Sequence, residues 1–356
     1  GYVSPIPQLH SHEDFEAFKA EELVSLVAFI SNEAEKEKYD EMARTHRRLA
    51  MTSAPRVDGG WTDAFPAPFY IYYREGDVLE AITQEQVDDL GANFDEYIKV
   101  HARPFVEHFF EASSEIFSLP VEKLAFYFGE KASDTEFAPE WLRKLGAAVR
   151  GHVVVVMIDV KDERATGAMD FFEAHAYPTI IGFQPKAEAQ YRRENWQKVG
   201  TPEELTEFVT ALKDGKVEKY RKGQELPEDW NAGALKTLAL SNFDENARDA
   251  NKLAFVLFYA PWCGHCKQML PAWDALAEQW KNDERVVIAK VDATANDIET
   301  VNKVRGFPTL IAFRAGTNDE VVYEGARTQD AFSKFIEKEL TTKKEEDEET
   351  VDKDEL

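Results

Sequence analysis

The chain has 356 residues, 44% of them apolar and 12% aromatic, which is enough for two or three packed domains and too much for a mainly disordered protein. Its 42 basic and 67 acidic side chains give a net charge of −25 at pH 7, a surface that repels phosphate backbones and excludes nucleic acid as a partner. The longest apolar runs, Ala254–Trp262 and Val153–Ile158, fall far short of the ~20 residues needed to cross a bilayer, so no membrane insertion is expected.

The chain opens Gly1-Tyr2-Val3-Ser4-Pro5, with no initiator Met, no basic n-region and no apolar h-region, as in a processed product or a fragment. The first 103 residues carry an apolar run at Leu23–Ile30, a second at Ala67–Tyr72 and an amphipathic stretch at Phe94–Val100, ending near Arg103-Pro104. A fuller version follows over 104–216: Leu124–Glu130, then Val153–Asp159, then Ala176–Phe183 with its aromatic-Pro-Thr start, then the amphipathic Pro202–Leu212. After a polar stretch from 217 to 232, the same order returns as Leu253–Ala260, Val286–Asp292, Gly306–Phe313 and Thr328–Leu340. Strands alternating with helices in this way predict βαβ units around partly parallel sheets, and the domain-sized interval predicts tandem domains rather than a solenoid. The tail, 341–356, has eight acidic and three basic side chains, too few apolar groups to fold, and ends Lys353-Asp354-Glu355-Leu356. That tetrapeptide reads as an address for the endoplasmic reticulum (ER). An ER protein needs a signal peptide, so Gly1 is not expected to be the start of the translated chain.

The only two cysteines are Cys263 and Cys266. No disulfide framework can be built from them, and no His or Cys follows to complete a four-ligand zinc site. They lie in Trp262-Cys263-Gly264-His265-Cys266-Lys267, between an apolar run and a helical pattern carried by Met269, Leu270, Trp273, Leu276, Ala277 and Trp280. Cys263 is predicted at the helix N-terminus, where free N–H groups and the helix dipole favour a thiolate, the nucleophilic form. Cys266 is one turn on, within reach to displace whatever Cys263 captures, and His265 can add positive charge beside the sulfur. No P-loop, G-x-G-x-x-G turn, Ser/His/Asp elbow or Asn-x-Ser/Thr sequon accompanies them.

With the aromatic-Pro-Thr segment downstream and the KDEL end, Ala260–Lys267 (APWCGHCK) resembles the thioredoxin superfamily and, within it, the protein disulfide isomerase family. Gln224–Trp230 (QELPEDW) is similar to that family's linker, so the resemblance covers the whole chain. It implies an α/β protein of three tandem thioredoxin-like domains, each a central mixed sheet flanked by helices. The divisions are a non-catalytic b-like domain (1–103), a substrate-binding, non-catalytic b′-like domain (104–216), a linker (217–232), a catalytic a′-like domain (233–340) and the acidic tail. A further catalytic domain is implied upstream of Gly1.

The resemblance also implies roles. Cys263 exchanges with substrate, Cys266 resolves, and Gly264 and His265 complete the motif. Pro308 matches a cis-proline loop that, with Trp262, meets substrate; Pro178 and Pro68 hold the same slot in domains without thiols. Arg327 matches an arginine that eases ionisation of the second cysteine. Many members have Glu six residues before the first cysteine; Leu257 stands there, as an apolar residue does in some fungal members, while its usual partner, Lys290, is present. The b′-like domain is the expected site for unfolded polypeptide, with Phe171, Phe172 and Ile180 near Pro178, and Trp230 as packing or as a cap. Of the adjacent Phe171 and Phe172, one must turn away from the core, and Phe171 is the better candidate.

The implied activity forms, breaks and rearranges disulfides in folding secretory proteins in the ER lumen, with chaperone-like binding. The alternative is a redox-idle chaperone or structural subunit of a larger ER complex. Partners are unfolded or misfolded secretory proteins, an ER oxidase, glutathione and the KDEL receptor. No cofactor is implied beyond the redox-active Cys263–Cys266 pair; the tail carboxylates suit only weak Ca²⁺ binding.

Overall fold

The computed structural model describes residues 7–112 and 114–353, and side chains as far as 341. The KDEL end and the acidic tail's side chains lie outside the described residues, although the backbone of the last helix runs Gln329–Lys353.

Three sheets form. The first contains β1 (Val24–Ile30), β2 (Ala50–Pro55), β3 (Phe69–Tyr73) and β4 (Val78–Ile82) in the order β2-β1-β3-β4. The second contains β5 (Val106–His108), β6 (Lys123–Gly129), β7 (Val153–Asp159), β8 (Thr179–Gln184) and β9 (Ala189–Arg192) in the order β5-β7-β6-β8-β9. The third contains β10 (Lys236–Leu238), β11 (Leu253–Tyr259), β12 (Val286–Asp292), β13 (Thr309–Phe313) and β14 (Glu320–Val322) in the order β10-β12-β11-β13-β14. Each sheet is mixed: β11 pairs parallel with β12 and antiparallel with β13, as β6 does with β7 and β8, and β1 with β2 and β3. Where the other sheets have β5 and β10, the first keeps one parallel bridge, Gln8 to Ser53.

Helices cover both faces of each central strand, which is why these strands read as unbroken apolar runs. In β11, Phe255 and Leu257 face a cluster with Trp273 and Phe332, while Ala254, Val256 and Phe258 face a second one with Phe243 and Phe313. The helix Gly264–Trp280 lies on the first of these faces and is tied to β12 by Trp273 Nε1, which donates to the Ala289 carbonyl at 3.0 Å.

The chain divides into two compact units, Gly1–Tyr220 and Arg221–Leu356, so two sheets share the first and one occupies the second. The polar stretch expected as a linker is divided between them. Tyr220 N–H donates to the Gln190 carbonyl at 2.7 Å in the first unit. In the second, Lys222 N–H donates to Asp297 Oδ2 at 2.7 Å and Gln224 N–H to Asn296 Oδ1 at 3.1 Å.

Within the first unit, the first two sheets meet at Arg150. Its Nη2 donates to both Glu80 carboxylate oxygens, at 2.8 and 2.6 Å, its Nη1 donates to the Tyr73 hydroxyl, and the guanidinium covers the rings of Tyr73 and Phe105, which stack 4.2 Å apart. Gly146, on the helix leading to Arg150, permits this approach: a Cβ there would lie 2.0 Å from the Phe105 carbonyl oxygen.

Candidate active site

β11 ends at Tyr259, and four residues later Cys263, in extended conformation, caps the helix Gly264–Trp280. Its sulfur accepts the Cys266 N–H at 3.2 Å, so it receives one of the N–H groups that have no partner in a helix's first turn. The two cysteines are joined as a disulfide with Cα atoms 5.3 Å apart. Cys263 is 5% exposed and Cys266 1%. Trp262, beside them, is 72% exposed and edge-on to Phe307, ring centroids 5.8 Å apart.

Two aromatic residues that the sequence reading did not single out, Tyr259 and Phe307, pack with Ala260 against the dithiol. Burial, and then the Asp292 carboxylate beside it, push the Tyr259 phenol up, so it is neutral at physiological pH. Their only sequence signal is adjacency: one closes β11, the other precedes Pro308. The Phe307–Pro308 peptide is cis, as is Tyr177–Pro178; Ala67–Pro68 is not among the cis bonds of the described residues.

Register brings Leu257 beside Lys290 on β12 and Leu310 on β13. Leu257 is fully buried, and the half-buried Lys290 carries its ammonium 5.8 Å from the Tyr259 ring centre. Hydrocarbon therefore occupies the strand position at which the resemblance implies a proton-relaying carboxylate. Leu257→Glu is expected to speed resolution of a mixed disulfide about a hundredfold, the low end of general-base catalysis, while lowering stability. Stopped-flow release of a captured thiol checks this, and an unchanged rate removes the strand position from proton transfer.

Gly264 and His265 lie exposed in the first helical turn, and a Cβ on Gly264 would meet nothing within 4 Å. Arg327 is exposed after β14, with no ion pair among the described residues. Trp230 is half-buried against the core of its own unit with Leu238 and Phe243, which accounts for it as packing.

In the second sheet, Phe171 is 66% exposed and Phe172 7%. Their rings meet edge-on at 4.8 Å, and Phe172 leans on Phe126 and Phe183. Phe117, also exposed, lies on the same cluster, 6.4 Å from Phe126. Ile180 is not part of this face. Strand alternation turns it into the opposite core with Leu142 and Leu205, and Ile181 takes the Phe126 side.

Among the described residues, no group of three or more His, Cys, Asp or Glu side chains could hold a metal, and no helix is long and apolar enough to cross a membrane.

Residues 234–338 match the family model described as Thioredoxin. That fold, with a vicinal dithiol capping the helix after its central strand, defines a thiol–disulfide oxidoreductase. The chain is 30% identical to the protein disulfide-isomerase of Drosophila melanogaster, aligning 99% of itself with 73% of that protein. It is 36% identical to the protein disulfide-isomerase of Oryctolagus cuniculus over 68% of this chain and 48% of that one. With protein disulfide-isomerase 1 of Caenorhabditis elegans the identity is 37%, over 69% and 50%. The chain thus spans about three quarters of the fly relative and about half of the other two. It belongs to the protein disulfide-isomerase family.

Proposed function

We propose that this chain forms, breaks and rearranges disulfides in folding secretory proteins, and that it holds their unfolded segments on its second domain while it does so. The observation that carries the reading is the Cys263 sulfur at the helix N-cap, accepting a backbone N–H at 3.2 Å beside an exposed Trp262. In the reduced protein the same N–H and the helix dipole stabilise a thiolate there.

Exchange then runs in two balanced steps. The Cys263 thiolate attacks one sulfur of a client disulfide; a mixed disulfide forms and the client's other sulfur leaves as thiolate. Cys266, deprotonated, attacks the Cys263 sulfur, restoring the Cys263–Cys266 disulfide and releasing a client dithiol. Run backwards, the sequence oxidises a client, and attack by a different client thiol on the mixed disulfide isomerises it. Trp262, Phe307 and Pro308 form the rim on which an extended client strand rests. His265 brings its imidazole to the first turn beside the sulfur, and Arg327 and Lys290 help Cys266 to ionise.

The apolar face carrying Phe117, Phe171 and the half-buried Phe109 and Phe110 suits non-native chains, because exposed apolar clusters mark interaction sites. Holding a client there raises its local thiol concentration near Cys263. The KDEL end assigns the chain to the ER lumen and the KDEL receptor, with an ER oxidase and glutathione setting its redox state. The domain divisions at 103, 216, 232 and 340 follow from the repeats. The test is the pH dependence of Cys263 alkylation in the reduced protein. A midpoint well below the ordinary thiol value of about 8.5 is expected, and a midpoint near that value overturns thiolate catalysis.

A further inference from the structure

Three copies of one fold allow charge to be compared at equivalent places in a single chain. Two stretches matter in each copy: the one that leaves the end of the central strand, and the one that leads into the proline before the next antiparallel strand. In the third copy these are 259–273, starting at Tyr259, and 300–310, around Pro308. The same places in the second copy are 129–143 and 170–180, set by Gly129 and Pro178, and in the first 30–44 and 60–70, set by Ile30 and Pro68. The second copy carries Glu130, Asp134, Glu136, Glu140, Asp170 and Glu173 there, and the first copy carries as many carboxylates. The copy that holds the dithiol carries none, and has Lys267, Lys303 and Arg305 instead. In a chain of net charge −25 this is a local reversal of sign.

The three cations are exposed, and none makes an ion pair or a side-chain hydrogen bond among the described residues. They flank the sulfurs along both stretches. Lys267 follows Cys266, and its N–H donates to the Cys263 carbonyl at 3.2 Å. Lys303 and Arg305 precede Phe307, which packs against the dithiol. Two carboxylates that reach these stretches from elsewhere are already engaged. Asp292, beside Tyr259, accepts the N–H and hydroxyl of Thr294 at 2.9 and 2.6 Å, and Glu320 accepts the N–H groups of Val301 and Asn302 at 2.8 and 3.0 Å.

We infer that the dithiol favours client segments whose reactive cysteine is flanked by Asp or Glu, a selectivity that rests on the thiolate exchange proposed above. A client strand lying on Trp262, Phe307 and Pro308 brings its flanking side chains near Lys303 and Arg305 on one stretch and Lys267 on the other. Carboxylates there find unpaired cations and speed capture; Lys or Arg there is repelled.

The test uses the full chain, reduced, in single turnover with synthetic peptides that carry one cysteine as a thiopyridyl disulfide, with Glu, Ser or Lys on both sides of it. The Cys263 thiolate attacks the peptide sulfur, a disulfide joins Cys263 to the peptide, and the leaving group takes up a proton as pyridine-2-thione, whose absorbance gives the rate. The Glu peptide should react about tenfold faster than the Lys peptide, with the Ser peptide between them. Lys303→Glu with Arg305→Glu should reverse that order. Lys281→Glu, at the far end of the helix and beyond a Debye length from the sulfur, should leave it as it is. Should the reversal disturb folding, as circular dichroism would report, Lys303→Gln with Arg305→Gln should narrow the ratio to about threefold. Alkylation of Cys263 by uncharged iodoacetamide separates the two readings. Slow alkylation near neutral pH refutes thiolate exchange and this selectivity with it. Fast alkylation with equal rates for the three peptides, or a ratio that neither pair of substitutions moves, overturns the selectivity alone.

Discussion

A Cys266→Ser variant should accumulate covalent adducts between Cys263 and clients that carry disulfides. Serine fits the space of a side chain that is 1% exposed, and the hydrogen bond from residue 266 to the Cys263 sulfur is made by backbone, so capture is retained. Only the second displacement is lost. Adducts that turn over in seconds in the native protein should persist for roughly hours, until external thiol removes them. Non-reducing electrophoresis followed by peptide mapping reads the result, and every adduct should map to Cys263. If no adduct appears while aggregation of unfolded clients is still suppressed, the dithiol is idle and the chain is a binding subunit.

The second large effect is on stability. Arg150→Ala should cost the first unit about 3 kcal/mol, the lower end of what breaking a buried ion pair costs, since both partners keep some solvent. The substitution leaves the Glu80 carboxylate unpaired between two sheets, removes a donor to the Tyr73 hydroxyl and uncovers the Tyr73–Phe105 stack. Arg150→Lys should recover less than half, because one ammonium nitrogen cannot hold the carboxylate and reach the Tyr73 hydroxyl as Nη2 and Nη1 do, nor lie flat on two rings. Urea denaturation of each variant, with Cys263 alkylation rate as a control on the second unit, separates the effects. A loss below about 1 kcal/mol would rank the pair with ordinary surface salt bridges.

Much of the third domain was legible from residues alone. The apolar run, the dithiol and the helical spacing after it locate β11 and Gly264–Trp280 closely, because local pattern and tertiary position agree there. Other features depend on partners far along the chain. Ile180 and Ile181 are both apolar, so no alternation in the sequence says which faces Phe126; only the sheet decides. The stretch around Lys222 has a linker's composition, yet its backbone bonds to Asp297, 75 residues away. The short strands β2, β4, β5 and β10 are three to six residues long, too brief to announce themselves. Tyr259 and Phe307 were in plain view within quoted motifs, but nothing local ties them to sulfur.

The solitude of the two cysteines has a consequence for how this chain ages under oxidising conditions. Both thiol sulfurs sit within one helical turn, almost hidden, and this sequence has no third cysteine. Once the pair closes, the chain offers no thiol through which copies could crosslink or internal loops could scramble. With the pair closed, copies of this chain are therefore covalently inert toward one another.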